Sequence, residues 1–157
     1  MSERYAIIVG SGFPGFTEGA EREQVDTPYG QPSAPVRHMT FGVCKVLVLP
    51  RHGNDHTLPP HAINYRANAF ALRSLGADAI IALNTVGVVS EVRTPGTLAV
   101  PDQIIDYTWG REHTIHDGNQ ADFDHIDFTA PFTAAVRERL LAAARAAGVD
   151  VYDGGVY

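Results

Sequence analysis

Lysine and cysteine are almost absent from this sequence, which contains one of each, Lys45 and Cys44. The 157 residues carry a formal net charge of -6 at pH 7, and the arginines are scattered along the chain. Because nucleic-acid backbones are bound by clustered lysine and arginine, this charge pattern argues against nucleic acid as a partner. A single cysteine excludes an intrachain disulfide framework and is typical of a reducing compartment. The apolar neighbours of Cys44 favour a buried structural thiol over a nucleophile.

Long apolar runs are also missing. No stretch approaches the roughly 20 apolar residues that a membrane span requires, so we expect no membrane partner. The start of the chain, Met1-Ser2-Glu3-Arg4, leads into only a short apolar run and lacks the pattern of a secretory signal. We therefore expect a cytoplasmic protein. The length predicts one α/β domain over residues 1–157, which is long enough to bury a hydrophobic core.

Short apolar runs alternate with helical patterns along the chain. Helices are predicted from His61 to Leu75 and from Pro131 to Ala147, each followed by a glycine that favours a helix end. Strands are predicted from apolar runs, and those at 5–9, 46–49 and 78–83 are expected to be buried. Strand signal also runs from Phe41 to Leu49, as part of a hairpin that ends at Pro50. One or two further strands are expected over 98–101 and 103–107, and another at 149–152. This alternation predicts an α/β layer fold with a parallel or mixed sheet.

Polar loops follow three of the predicted strands. They are Gly10-Ser11-Gly12, Arg51-His52-Gly53 and Asn84-Thr85-Val86-Gly87. In open α/β sheets, ligands bind at the carboxyl ends of the strands. One guanidinium with hydroxyl, amide and backbone donors suits a small oxyanion such as phosphate. The alternative is that these are ordinary turns and that the arginine makes a surface salt bridge.

Two other chemistries are weaker interpretations of the same residues. Gly10 to Gly15 matches the G-x-G-x-x-G pattern of dinucleotide sites, but Pro14 interrupts it and no helical period follows. The pairs His52/His56 and His113/His116 have spacings that could chelate a metal on a helix. Neither pair falls in a predicted helix and no third ligand is indicated, so solvated or hydrogen-bonded histidines are favoured. The sequence contains neither a P-loop nor an Asp-rich magnesium motif.

Taken together, these motifs resemble those of the trimeric purine nucleoside phosphorylases, within their methylthioadenosine phosphorylase branch. The chain is most similar there to the enzymes that cleave methylthioinosine. The resemblance covers residues 5 to 157. It is carried by Ile7–Gly12, Thr27–Ser33, Arg51–Asn68, Asn84–Gly87, Ile105–Thr108, Gly110–Thr114 and His125–Phe128.

The resemblance implies a three-layer fold, with a mixed central β-sheet flanked by helices. It implies phosphorolysis of 5'-deoxy-5'-methylthiopurine nucleosides, with inorganic phosphate as co-substrate and no metal or organic cofactor. The family has threonine where Ser11 stands and often alanine where Thr85 stands. Val88 and Val89 depart from the smaller residues common in the family after Gly87. The implied phosphate-binding residues are Ser11, Arg51, His52, Asn84 and Thr85.

Two further histidines have implied roles near the substrate. His125 resembles the residue that reaches a neighbouring subunit's 5'-alkylthio pocket, and His56 resembles a histidine near the phosphate and the subunit interface. In the family, a carboxy-terminal part supplies the purine-recognising residue and the group that assists the leaving base. We therefore expect residues 1–157 to be the amino-terminal part of a truncated domain, with the catalytic residues for the base beyond Tyr157.

The expected whole protein is a homotrimer that acts in purine and methionine salvage. Two alternatives remain open at the level of sequence. One is a general purine nucleoside phosphorylase that takes inosine or guanosine. The other is an inactive fragment that binds phosphate or a nucleoside without turnover.

Overall fold

The computed structural model describes residues 3–13, 16, 19–90, 94–112, 114–116 and 124–157. Within these ranges the chain forms a mixed α/β structure with two compact units. The first comprises Met1–Val86 and Gly110–Asp117, and the second comprises Gly87–Trp109 and Gly118–Tyr157. The predicted α/β fold with a mixed sheet is confirmed, whereas the assignment of the whole chain to one domain stays a prediction.

The first unit is built on a five-stranded sheet. Its strands, in chain order, are β1 (Tyr5–Val9), β2 (Glu21–Glu23), β3 (Val36–Phe41), β4 (Cys44–Pro50) and β5 (Ala79–Leu83). Their spatial order is β2-β3-β4-β1-β5. The pairs β1–β4 and β1–β5 are parallel, while β2–β3 and β3–β4 are antiparallel. The three parallel strands therefore end at the same edge of the sheet.

Helix α1 (Tyr65–Ser74) crosses over between β4 and β5 and supplies one wall of the core. Leu47 and Leu49 of β4 pack with Ala71 and Leu72 of α1, and all four side chains are at most 2% exposed. Burying a leucine side chain contributes about 1.5–3 kcal/mol each, so this contact is a principal source of stability.

Both ends of α1 are set by local sequence. The Asn64 side chain accepts a hydrogen bond from the backbone N–H of Ala67, 3.0 Å away, and caps the first turn. At the other end Gly76 has φ +83°, and the backbone bonds Gly76 N–H to Arg73 and Ala77 N–H to Leu72 form a Schellman motif. The predicted start at His61 is wrong because Pro60–Ala62 is a separate 3-10 turn that ends at the extended residue Ile63.

The second unit contains β6 (Leu98–Val100), α2 (Ala134–Ala146) and β7 (Val151–Asp153). Strands β6 and β7 pair in parallel. The Arg137 guanidinium of α2 donates to the carbonyl oxygens of Pro101 and Val100 and pairs with Asp153 at 2.6 Å, which fixes the helix against both strands. Helix α2 begins three residues after the predicted Pro131, because Thr133 still has extended backbone geometry.

Three other predictions need correction. The segment 103–107 is not a strand, since only Gln103 forms an isolated bridge, to Val156. Strand β5 is not fully buried, because it lies at the edge of the sheet and every second residue is exposed, Ile80 to 40%. Cys44 is exposed, because it opens β4 directly after the hairpin turn instead of in the covered part of that strand.

Within the described residues, no helix is both long and apolar enough to span a membrane.

Candidate active site

The loops after β1, β4 and β5 meet at one edge of the sheet. In the strand register Val9 lies opposite Pro50 on one side and opposite Leu83 on the other. The residues that follow, Gly10, Arg51 and Asn84, therefore lie side by side along the sheet edge. They begin the Gly-rich loop, the Arg51 loop and the Asn84 loop. The sequence-based expectation that these three loops come together is met by the geometry.

Arg51 links the other two loops through its backbone and its side chain. Its N–H donates to the carbonyl oxygen of Val9 at 2.9 Å, and Gly10 N–H donates to the carbonyl oxygen of Leu83 at 3.1 Å. The Nη1 of Arg51 donates to Oδ1 of Asn84. The half-buried guanidinium is thus held at the sheet edge by backbone and amide contacts, and the described residues give it no carboxylate partner.

The Gly-rich loop lies so close to both partner loops that a Cβ at either glycine would press against a neighbouring side chain. A Cβ at Gly10 would lie 2.7 Å from Nη2 of Arg51 and 3.1 Å from the carbonyl oxygen of Leu83. A Cβ at Gly12 would lie 2.5 Å from Oγ1 of Thr85. Ser11 stands between these glycines and is exposed, so its hydroxyl and the loop N–H groups are accessible to a ligand. Among the described residues, the next regular element after this loop is strand β2. Gly15 lies outside the described residues.

His52 has a fixed orientation beside Arg51. Its Nδ1 donates to the carbonyl oxygen of Leu58 at 2.8 Å, and Leu58 N–H donates back to the carbonyl oxygen of His52 at 3.0 Å. In the neutral ring the hydrogen is therefore on Nδ1, and Nε2 accepts from Nε of Arg51 at 3.4 Å. The ring of His56 stacks on that of His52 at 6.1 Å and 15°. His56 has a positive φ of 53°, which is unusual for a non-glycine residue and sets the direction of this ring.

Residues missed by sequence reasoning support the Arg51 loop from behind. Asn54 accepts a hydrogen bond from Nη2 of Arg37 at 2.6 Å, and Arg37 itself is 6% exposed. Burial and, to a lesser degree, the charge of Arg22 on the neighbouring strand lower the pKa of Arg37. Asn68 of α1 is 2% exposed and bonds to Ser33. The repeat of asparagine at i and i+4 at the start of a helix, Asn64 and Asn68, is the one signal that could have indicated these supports.

The Gly110–Thr114 motif also belongs to the first unit and packs on the start of α1. Nη1 of Arg111 donates to the hydroxyl of Tyr65 at 3.3 Å, and Glu112 pairs with Arg66 at 3.1 Å. Arg66 also lies 5.0 Å over the ring of Tyr29. These contacts tie the turn around Tyr29, the helix and residues 110–112 together. His113 lies outside the described residues.

His125, predicted to line a 5'-alkylthio pocket, belongs to the second unit. It is exposed and lies in a segment without regular secondary structure. Two residues on, Asp127 accepts a hydrogen bond from Thr129 N–H at 2.9 Å, and hydrogen bonding to the Thr129 side chain and backbone lowers the pKa of the Asp127 carboxyl. His125 therefore belongs to a different unit from the other predicted site residues. Those in the first unit are Ser11, Arg51, His52, His56, Asn84 and Thr85.

A cavity of about 450 Å³ lies behind the Arg51 loop. Its walls are mostly polar and include Ser33, Asn54, Asp55 and Thr57. It shares Gly53 with the loop, but none of the six predicted residues of the first unit lines it. We assign the candidate site to the sheet edge because the guanidinium and the other donors converge there, whereas the cavity offers a single carboxylate.

The donor set at the sheet edge is suited to an anion rather than a metal. It consists of one guanidinium, an amide, two hydroxyls and backbone N–H groups, with the imidazole rings of His52 and His56 beside them. Among the described residues, no three His, Cys, Asp or Glu side chains are arranged to hold a metal ion. Arginine binds phosphate through a planar pair of donors, and the surrounding neutral donors complete the shell of a tetrahedral anion.

Sequence comparison identifies the family of the chain. A sequence profile described as the phosphorylase superfamily matches residues 4–157. The chain belongs to the phosphorylase superfamily. It is 43% identical over 154 residues to a probable S-methyl-5'-thioinosine phosphorylase of Xanthomonas campestris, covering 97% of this chain and 62% of that relative. It is 40% identical to the S-methyl-5'-thioadenosine phosphorylase of Pyrococcus furiosus, covering 98% of this chain and 59% of that one.

Solved structures extend the similarity to the fold. A methylthioadenosine phosphorylase from Schistosoma mansoni in complex with adenine superposes with a TM-score of 0.88 at 38% identity. The match covers 97% of this chain and 57% of that one. This superfamily member therefore spans roughly three fifths of the length of the curated relatives that it matches.

Proposed function

We propose that the protein catalyses phosphorolysis of 5'-deoxy-5'-methylthiopurine nucleosides, giving the free purine and 5-methylthioribose 1-phosphate. The observation that carries the proposal is the convergence of three loops at one sheet edge around Arg51. Membership of the phosphorylase superfamily supports the proposal, because phosphorolysis requires a bound phosphate.

Inorganic phosphate is the co-substrate, and Ser11, Arg51, His52, Asn84 and Thr85 bind it. Arg51 supplies the positive charge, while hydroxyl, amide and backbone groups orient the phosphate oxygens. The bond between the anomeric carbon and the purine nitrogen breaks, and the purine leaves with the electron pair and takes up a proton. A phosphate oxygen forms the new bond to the anomeric carbon and stabilises the positive charge that builds on the sugar. Orientation of phosphate is the main contribution of this chain, through proximity.

The proposed substrates are methylthioinosine and methylthioadenosine. The relatives of this chain carry these two names, and the resemblance of His125 to a residue of the 5'-alkylthio pocket points the same way. His56 is proposed to contact substrate or phosphate beside His52, on which its ring stacks.

The proposed setting is a cytoplasmic homotrimer that acts in purine salvage without metal or organic cofactor. The single free cysteine is compatible with a reducing compartment. A trimer would allow one subunit to supply His125 to the pocket of the next.

The test is a phosphorolysis assay of the whole protein that contains this chain, with methylthioinosine, methylthioadenosine and inosine as substrates. We expect purine release that depends on inorganic phosphate, with both methylthio nucleosides preferred over inosine by kcat/KM. A preference for inosine would identify a general purine nucleoside phosphorylase instead. Phosphate-independent release, or none from any of the three, would overturn the proposal.

A second candidate function is binding of phosphate or a nucleoside without turnover. It requires only the convergence of donors around Arg51 at the sheet edge. Calorimetry with inorganic phosphate distinguishes it, because phosphate binding without purine release supports the binding function.

A further inference from the structure

The strongest unexplained feature of the first unit is a buried asparagine on α1. Asn68 is 2% exposed, yet it faces a loop rather than the apolar core. Its Oδ1 accepts from Ser33 N–H at 2.7 Å, and its Nδ2 donates to Oγ of Ser33 at 2.9 Å. A buried side-chain amide that lacks hydrogen-bond partners destabilises the fold. Ser33 avoids this penalty for Asn68, because it bonds to both the oxygen and the nitrogen of the amide.

One turn earlier, Asn64 acts on the same loop. Its Nδ2 donates to the carbonyl oxygen of Tyr29 at 2.6 Å while its Oδ1 caps the helix. The segment from Tyr29 to Ser33 is therefore attached to α1 at both ends, by two asparagines on one face of the helix. Because α1 is packed on the sheet through Leu72, this segment has a rigid support.

The segment from Tyr29 to Ser33 lies next to the Arg51 loop. Gly53 is buried with φ +82°, and a Cβ there would lie 3.5 Å from the carbonyl oxygen of Ser33. Gly53 directly follows Arg51 and His52, two of the proposed phosphate-binding residues. The Ser33 carbonyl oxygen and Gly53 are therefore close neighbours that line the same cavity, so a shift of Ser33 changes the surroundings of Gly53.

We propose that Asn68 is a positioning residue for phosphate binding, which acts through Ser33 and Gly53 on Arg51 and His52. The inference rests on the proposed function, because it assigns a role relative to the phosphate at that site. An apolar residue at this position would also pack α1 on the sheet, but it would not bond to Ser33. The contribution of Asn68 beyond packing is therefore the pair of hydrogen bonds that fixes the position of Ser33.

The test compares Asn68→Ala and Ser33→Ala with a matched control, Leu72→Ala. Asn68→Ala removes both hydrogen bonds, whereas Ser33→Ala removes only the one to Oγ and is the milder variant. Leu72 lies on the same helix and is 0% exposed, so its truncation destabilises the fold without touching the loop. Each protein is titrated with inorganic phosphate by calorimetry at a temperature where it is folded, and KM is measured for phosphate and for methylthioinosine.

We expect Asn68→Ala to bind phosphate about tenfold more weakly, equivalent to about 1.4 kcal/mol. KM for phosphate should rise by a similar factor while KM for the nucleoside changes little. Ser33→Ala should show a smaller shift in the same direction, and Leu72→Ala should bind phosphate as the wild type does. Equal phosphate affinity in Asn68→Ala, Ser33→Ala and wild type would overturn the inference, as would equal weakening in Leu72→Ala.

Hydrogen exchange provides a readout that does not depend on phosphate. The backbone N–H of Gly53 donates to the carbonyl oxygen of Pro50, and that of Leu58 donates to the carbonyl oxygen of His52. Both N–H groups therefore form hydrogen bonds that involve the Arg51 loop or the residue next to it. In Asn68→Ala their exchange should accelerate, relative to the amide of Arg51, which bonds to Val9 of the sheet. If the wild type binds no phosphate, the proposed function fails, and this exchange comparison alone decides whether Asn68 orders the loop.

Discussion

At the residue scale, the candidate site depends on how closely three loops approach one another. Gly10 and Gly12 leave no room for a Cβ against Arg51 and Thr85. Steric exclusion of this kind is a sharper constraint than a hydrogen bond, because overpacking moves whole segments. The glycines therefore fix the distance between the loop N–H groups and the guanidinium.

Gly12→Ala tests this constraint directly. Its Cβ would lie 2.5 Å from Oγ1 of Thr85, so the Thr85 side chain or one of the two loops must shift. We expect phosphate affinity to fall at least about tenfold, since overpacking of this kind typically costs about 1–3 kcal/mol. Gly87→Ala is the matched control, because its Cβ meets no atom within 4 Å. Calorimetry with phosphate should separate the two, and an equal effect of both variants would contradict the steric argument.

His125 carries the prediction of substrate preference. In His125→Ala we expect kcat/KM for methylthioinosine to fall more than kcat/KM for inosine, because the predicted contact is with the 5'-alkylthio group. His61→Ala, which removes an exposed histidine from the 3-10 turn, is the control and should change neither value. Parallel losses for both nucleosides would indicate that His125 has only a structural role.

At the scale of elements, α1 connects stability to the site. Asn64→Ala removes the cap to Ala67 and the bond to Tyr29, and we expect the free energy of unfolding to fall by about 1–2 kcal/mol. Ser74→Ala is a control at the other end of the helix, where the hydroxyl bonds only to Ala71 one turn back. Urea unfolding measures both, and an Asn64→Ala variant as stable as Ser74→Ala would show that the cap contributes little.

The strands of the site were predictable because their apolar runs are short and each ends in a polar loop. The meeting of Gly10, Arg51 and Asn84 followed from parallel pairing alone, which places carboxyl ends together. The exposure of β5 and of Cys44 was not predictable, since strand order and hairpin position decide which residues are covered. The contact of Asn68 with Ser33 spans 35 positions, and local patterns carry no signal for such a pairing.

At the scale of the whole molecule, the exposed apolar side chains of the second unit predict association. Val89, Tyr107, Trp109 and Ile126 are 74% exposed or more. Because such surface favours burial against another chain, we expect the 157-residue chain to associate as its concentration rises. Sedimentation velocity should show this, and the double variant Tyr107→Ser/Trp109→Ser should weaken it.

Val43→Ser is the control for association. Val43 is 97% exposed at the hairpin turn of the first unit. It is therefore as exposed as Tyr107 and Trp109 but belongs to the other unit. We expect it to leave association unchanged. A chain that remains monodisperse at all concentrations, or one that Val43→Ser affects as strongly as the double variant, would contradict this prediction.

The central claim is that Arg51 organises a phosphate site at the edge of the sheet, and calorimetric titration of the folded protein with inorganic phosphate tests it most directly. Loss of one charge-assisted contact costs about 2–4 kcal/mol, so Arg51→Ala should bind phosphate at least about 30-fold more weakly than wild type. Arg51→Lys keeps the charge but not the planar donor pair, and its affinity should lie between the two. Phosphate binding that is absent from the wild type, or that is unchanged in folded Arg51→Ala, would contradict the account.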